Sequence, residues 1–586
     1  MFFPKLRQNA VTRKGIQRFL GYDRNPRGAE GAFWDMKNLS SAHFPLLGPR
    51  ATRGVVARLE DPQGLGCSEA AAWVDRGKLY WNGLEVEGLV LSTLPAMCPK
   101  ELIFMGAYLV IFPDRVYFNT ADPSDWGSLD NCRTVACSQE SGIRYSLCRA
   151  DGTTYESYSL SDTAPQEPED GSLWLNTAQE RHTLLTYSAS GGMWVPVAAT
   201  YVKLEGSGIG LGFSQYDGVE LAGCGPESLN GSAVLEQAEE NALVVAGMLD
   251  QPLTQSSGTV TVSRRAPDMD FVTQCGNRLW GCKYGLVEGK AVNEIYASAL
   301  GDFKNWSRYR GLSTDSYRAS RGSDGPWTGA ITYLGRPVFF KENAIETVWP
   351  DASGAHSIVT TNCRGVQKGS HRSLVIVDEI LYYKSPTDVC AYDGSLPVTV
   401  SGALGSEAYG NAVAGRQGAR YYISMEGEQG RSLFVYDTAR GLWHREDGLQ
   451  VRFFATRGQE LLAIDTGGRL LSMTGTSGEP EGPVDWMAQT GPMDLSTPDQ
   501  FYVTRLTLRL QVPAGSLVRA ELRYDSTGPW EQVASLRGDR LQSRTVPIVP
   551  RRCDHVELRL SGQGPCKLYS LVKTMEEGSD VVWPLG

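Results

Sequence analysis

Long apolar runs are missing from this sequence. None approaches the roughly 18 residues needed to cross a membrane as a helix, and the longest, around 242–249, is the length of a strand. The opening residues MFFPKLR contain no apolar stretch of signal-peptide length and no small-residue cleavage site after one. The expectation is therefore a chain made and folded in a cytoplasm, with no membrane anchor. Histidine is scarce: His43, His182, His356, His371, His444 and His555 are scattered singly. Twelve cysteines are present, but no two form a Cys-x-x-Cys pair. The nearest neighbours are Cys132/Cys137 and Cys275/Cys282. Structural zinc needs four ligands at short recurring spacings. No metal or other cofactor is expected, and the thiols read as reduced, mostly buried small apolar groups.

Catalytic templates are missing as well. The nucleophile elbow Gly-x-Ser-x-Gly is not met, since the nearest echo, GSGIG at 206–210, has its Ser out of register. There is no Walker loop and no His-Glu-x-x-His. The sialidase repeat Ser-x-Asp-x-Gly-x-Thr-Trp is echoed only superficially by SDGPW at 323–327 and STGPW at 526–530. Asp268, Asp270, Asp302 and Asp437 fall where turns are expected, and a turn Asp usually bonds its own backbone. The reading is a chain with no enzymatic role. Propeller glycosidases, which use paired carboxylates, are the enzyme alternative.

What is present is glycine (65), tyrosine (25), tryptophan (14) and a modest 21% of charged residues, which suits many short strands joined by tight turns. The stretch NEIYASALGDFKNW at 293–306 reads as a strand, a turn at Gly301-Asp302 and a closing Trp306. A second copy, RVYFNTADPSDW, lies at 115–126, and looser relatives are Tyr436…Trp443 and Tyr187…Trp194. A recurring strand–turn–aromatic unit is how a β-propeller writes its blades. Hairpin signals surround these units, at Asp75-Arg76-Gly77 and at Gly106-Ala107 among others.

The expected fold is all-β: a propeller of about seven blades over 31–137 and 266–477, interrupted by an inserted small β-domain over 138–265. Residues 484–586 alternate apolar and polar as in a β-sandwich with one wet face, after a linker at 479–483. A turn is expected at Gly48-Pro49. Residues 1–30 read as a poorly structured basic arm with seven Lys/Arg against Asp23 and Glu30, or +5, in a chain of net charge −10. Such an arm is either a solvated face or a docking element, which makes Lys5, Arg7, Arg13, Lys14 and Arg18 candidate interaction residues. The Tyr…Trp pairs read as core packing between blades. Tyr187 and Trp194, in the insertion, are the pair expected to be exposed and the candidates for a sugar-binding shelf.

Three stretches carry a family resemblance: EGAFWDMKNLSSAHFPLLGPR at 30–50, NRLWGC at 277–282 with EIYASALGDFKNW at 294–306, and VPRRCDH at 549–555. Together they resemble a structural protein family of phages and prophages from Firmicutes. In architecture the chain is similar to the β-propeller tail nozzle or hub proteins of short-tailed phages. The resemblance transfers no catalytic residue. It implies a virion tail component, made in the bacterial host cytoplasm and assembled as a homo-oligomeric ring between portal or adaptor proteins and tail fibres or spikes. Double-stranded DNA would pass through without specific binding, helped by an acidic wall. Two alternatives stand beside it: a receptor- or carbohydrate-binding tail-tip protein, and a propeller glycosidase.

Overall fold

A computed structural model describes residues 11–26, 28–178, 180, 182–351, 353–494 and 500–577. The chain is all-β, built from many antiparallel sheets. It divides into two compact units. One comprises Met1–Lys100, Phe340–Ile345 and Thr361–Gly586, and the other Glu101–Phe339 and Glu346–Thr360.

The first unit contains three complete four-stranded meanders, over 62–90, 375–399 and 410–445. A further sheet, over 451–472, is completed from elsewhere in the chain. Gly54–Arg58 pairs with Arg469–Ser472, and Glu479–Pro480 pairs with Gly54–Arg58 in turn. This insertion is tight, because a Cβ at Gly54 would overlap the Ser477 carbonyl. Local chemistry explains the hairpins. At Arg76-Gly77, between Ala71–Asp75 and Lys78–Trp81, both residues have positive φ (51° and 72°), the two-residue turn that matches strand twist. The first strands of successive meanders pack on one another, Val375–Val377 on Gly410–Gln417 on Val451–Arg457 on Pro62–Cys67.

The same unit contains two five-stranded sheets. In the first, Val11–Ile16, Lys567–Glu577, Phe501–Val512 and Gly538–Val546 lie in that order, with Arg552–Cys553 added at Phe501–Val512. In the second the order is Asp35–Lys37, Asp485–Gln489, Val556–Gln563, Leu517–Tyr524 and Glu531–Leu536. Leu506, Leu508 and Leu510 of one sheet share a core with Val518, Leu522 and Leu558 of the other. Alternation along Phe501–Val512, broken once by a bulge at Thr504-Arg505, sends Phe501, Val503, Leu506, Leu508, Leu510 and Val512 into that core.

The second unit has meanders over 101–128 and 271–320 and most of a third over 329–362. It also holds an eight-stranded sheet formed from 131–264. Ile143 and Tyr145 near one end of this sheet share a core with Val260 and Val262 near the other, so the sheet curls on itself. A small sheet of Ser159–Ser161, Leu173–Asn176, Thr183–Ser188 and Met193–Pro196 accompanies it. Its first two strands run parallel.

Several expectations are corrected. Residues 11–22 do not form a free arm. Val11–Ile16 pairs with Lys567–Glu577, and Ile16, Phe19 and Tyr22 are buried. Arg13, Lys14 and Arg18 hide that apolar pattern in the sequence. Gly48–Pro49 is a strand paired with Leu39–Ser40, and the chain turns instead through Ser41–His43. Asn131–Ala136, which the sequence reading placed before the insertion at 138–265, pairs with Thr259–Arg264 in the eight-stranded sheet. The expected linker at 479–483 contributes Glu479–Pro480 to a sheet.

Candidate functional site

The candidate residues of the basic segment divide three ways. Lys5 and Arg7 lie outside the described residues. Arg13 is exposed on the outermost strand of its sheet. Lys14 and Arg18 have intramolecular partners. The Lys14 ammonium donates to Asp494 at 2.8 Å, and its pKa is raised by that bond. The Arg18 guanidinium lies 5.1 Å from the Phe44 ring centroid. Asp494 also accepts from the buried Lys573, at 2.6 Å, so these charges tie the N-terminal strand to its sheet.

Two of the four aspartates expected in turns bond their own local backbone: Asp302 accepts from the Lys304 N–H at 3.0 Å and Asp437 from the Arg440 N–H at 3.2 Å. Asp270 instead accepts from the Tyr284 N–H at 2.8 Å, across to the next strand, and Asp268 and Asp270 both pair with Lys283, at 2.8 and 2.9 Å. Trp306 is buried, with its indole N–H on the Phe303 carbonyl. Phe303 in turn meets Tyr108 and Tyr117 of the neighbouring meander, at 5.0 and 5.4 Å between centroids. The Trp306 stretch is an inter-sheet closure.

Tyr187 and Trp194 are direct cross-strand partners, 5.3 Å apart, with Trp174 5.4 Å from Trp194. Trp174 is buried while Tyr187 and Trp194 are half-buried. The cysteines are free, and burial pushes the Cys553 and Cys566 thiols up to about 12, well away from the nucleophilic thiolate.

The sequence did not point to a polar cleft in the first unit. Its volume is about 880 Å³, and its walls include Lys37, Asn38, Arg50, Arg53, Asp447, Asp465, Arg469, Glu481 and Asp485. Two buried arginines organise it. Arg50 donates from Nε to Asn38 at 2.9 Å and from Nη1 to Glu481. Arg53 donates from Nη1 to Asp447 at 2.8 Å and from Nη2 to Glu446 at 2.7 Å, while its backbone N–H donates to Glu481 at 2.7 Å. On the far wall Arg469 donates from Nε to Asp465 at 2.7 Å. Asn38, at a positive φ of 55°, reaches the Asp485 carbonyl through Nδ2 at 2.7 Å.

The electrostatics follow from these pairs. Burial alone would raise the Asp447 carboxyl, but Arg53 and Arg50 outweigh it and hold it below the usual range. Glu481 is likewise lowered against burial, by Arg50 and the Arg53 N–H. Both carboxylates are ionised acceptors at neutral pH. A general acid for glycoside cleavage needs the opposite shift. The sequence could not have revealed this site, because its members come from 37–53, 446–469 and 481–485 and no short motif links them.

No protein-family model matches the chain, and no curated protein matches it. Solved structures similar to it include an exo-β-1,3-galactanase from Phanerochaete chrysosporium with β-1,3-galactotriose. That pair is 10% identical, covers 52% of this chain and 94% of that one, and has a TM-score of 0.22. A structure described as a glycoside hydrolase is 10% identical over 51% of this chain and 96% of that one, with a TM-score of 0.18. A putative 6-phosphogluconolactonase from Bacteroides uniformis is 11% identical over 70% of this chain and 100% of that one, with a TM-score of 0.24. With glycoside hydrolases among these structures, the expectation that the chain has no enzymatic role is withdrawn. Similarity at this level assigns no reaction and places no active site.

Proposed function

We propose that the four-stranded meanders are the blades of a seven-bladed β-propeller, and that the protein uses this scaffold to bind a neutral saccharide in the polar cleft. Two features support the propeller reading. Successive meanders pack first strand on first strand within each unit, and Gly54–Arg58 joins the sheet at 451–472 as a ring closure requires.

The charge balance of the cleft carries the saccharide reading. Lys37, Arg50, Arg53 and Arg469 stand among Asp447, Asp465, Glu481 and Asp485, so neither sign is in excess on the walls. An anionic ligand would meet four carboxylates, and a cationic one would meet four basic groups. A polyol suits both, because each hydroxyl donates to a carboxylate and accepts from a guanidinium or ammonium. The sequence raised carbohydrate binding for a receptor- or carbohydrate-binding tail-tip protein, and not through this cleft. The virion placement, the ring of copies and the portal and fibre partners rest on the family resemblance alone.

The test is calorimetric titration of the full chain with a panel of neutral oligosaccharides, alongside an assay for new reducing ends. Saturable binding that weakens at least tenfold in both Asp465→Asn and Glu481→Gln, measured well below each variant's thermal midpoint so that lost ion pairs do not unfold the chain, is the expected result. Binding that is absent, or indifferent to both changes, overturns the proposal. New reducing ends that vanish in either variant would show that the cleft cleaves what it binds.

A further inference from the structure

The small sheet of the second unit has one aromatic face. Direct pairing sets Trp174 opposite Leu185, Leu185 opposite Pro196 and Tyr187 opposite Trp194. With a period of two, these side chains share a face, while Leu175 and Leu184 point the other way into a core with Leu147. The aromatic side is thus unneeded for that core. Trp174 is anchored, its indole N–H on the Ser161 carbonyl at 3.1 Å. Among the described residues neither the Tyr187 hydroxyl nor the Trp194 indole N–H has a hydrogen-bond partner, and both rings are half-buried. Two flat π-faces with unfilled polar tips are a surface for a ligand that is apolar on its faces and polar at its edges.

The charge around this face narrows the ligand further. Residues 162–170 carry Asp162, Glu167, Glu169 and Asp170 and no Lys or Arg. This segment connects the two parallel strands and is held beside the aromatics. Asp170 accepts from the Ala189 N–H at 2.8 Å, in the turn between the Tyr187 and Trp194 strands. The Gly171 N–H donates to the Tyr187 carbonyl at 3.0 Å, and the Tyr187 N–H to the Ser172 carbonyl at 2.9 Å. A carboxylate- or sulfate-bearing sugar approaching the rings meets like charge.

We propose that Trp194 and Tyr187 form a stacking site for an uncharged pyranose chain. Each sugar ring would lay its C–H face on an aromatic face, and the Tyr187 hydroxyl and Trp194 N–H would bond its hydroxyls. This site is separate from the polar cleft and does not depend on it.

The test uses the full chain and two sets of soluble oligosaccharides of equal length, one neutral and one uronate-bearing, with calorimetry and the difference in total tryptophan fluorescence between chains with and without Trp194 as readouts. The expected result, in a Glu481→Gln background that removes the cleft's contribution, is residual binding of neutral chains that weakens at least tenfold when Trp194→Ala is added and severalfold when Tyr187→Phe is added. Preference for the uronate set overturns the charge argument. Equal binding by Glu481→Gln with and without Trp194→Ala, or no residual binding in Glu481→Gln, overturns the site whatever the intact cleft binds. A face that instead docks protein would bind no sugar, and Trp194→Ala would shift the sedimentation coefficient, which also overturns the proposal. Circular dichroism of Trp194→Ala checks that the sheet persists, and Tyr187→Phe, which removes only a hydroxyl, covers the case in which it does not.

Discussion

Tyr436/Trp443 and Tyr187/Trp194 look alike in the sequence, and the structure gives them opposite environments. Both are direct cross-strand pairs between the third and fourth strands of a four-stranded sheet. Trp443 is 2% exposed, lies 4.8 Å from Tyr436 and donates its indole N–H to the Val400 carbonyl at 2.7 Å. Trp194 is half-buried with an unfilled N–H, and Met193 beside it is 59% exposed. The spacing of such a pair records strand and turn geometry. Whether another layer covers the pair is decided by distant parts of the chain, here Gly21–Tyr22, which packs on the Leu442–Arg445 strand and puts Tyr22 in the core that Trp443 joins.

Truncating the covered ring should therefore give the largest effect. Trp443→Ala removes a fully buried indole and leaves the Val400 carbonyl unpaired, which should cost about 3–5 kcal/mol of unfolding free energy. Denaturant unfolding of the two alanine variants side by side checks this. A loss at Trp443 no larger than that at Trp194 would erase the contrast.

The neighbouring residue sharpens the comparison through pH. His444, on the same strand, is buried and its Nδ1 has no partner. Burial, helped by Arg420 and Arg440 and opposed by Asp437, lowers its pKa to about 4. The unfolded chain takes up this proton near pH 6.5, whereas the folded chain resists until about pH 4. Stability is therefore intact above 6.5 and falls as pH drops through that window. The shift corresponds to about 3 kcal/mol at most. In His444→Gln the slope of stability against pH between 6.5 and 4 should shrink by that amount. An unchanged slope would mean that the strand opens to water as the Trp194 strand does.

The local elements were largely legible, whereas the long-range partnerships were not. Turn chemistry at Arg76-Gly77 and alternation along Phe501–Val512 are encoded within a few residues, so hairpins and sheet faces could be read directly. Val11–Ile16 was missed because its partner lies more than 550 residues away, at Lys567–Glu577, and its charges imitate a solvated arm. The cleft was missed for the same reason. Arg53 finds Glu446 and Asp447 across 393 and 394 positions, and no sequence window contains both sides. The Tyr187/Trp194 pair was expected to be exposed from its place in the inserted segment, and both rings are half-buried.

The smallest effect on stability should belong to that exposed pair. Trp194→Ala removes a ring that shields little of the core formed by Leu147, Leu175 and Leu184, since those side chains occupy the opposite face. What it loses is one cross-strand aromatic contact, worth about 1 kcal/mol or less. The thermal midpoint should drop by only a few degrees, on the same substitution expected to weaken residual binding of neutral sugars at least tenfold in the Glu481→Gln background. A structural ring shows the reverse pattern, a large loss of stability with no change in ligand binding. Measuring both quantities on Trp194→Ala therefore separates a surface kept for a ligand from a core that is merely thin.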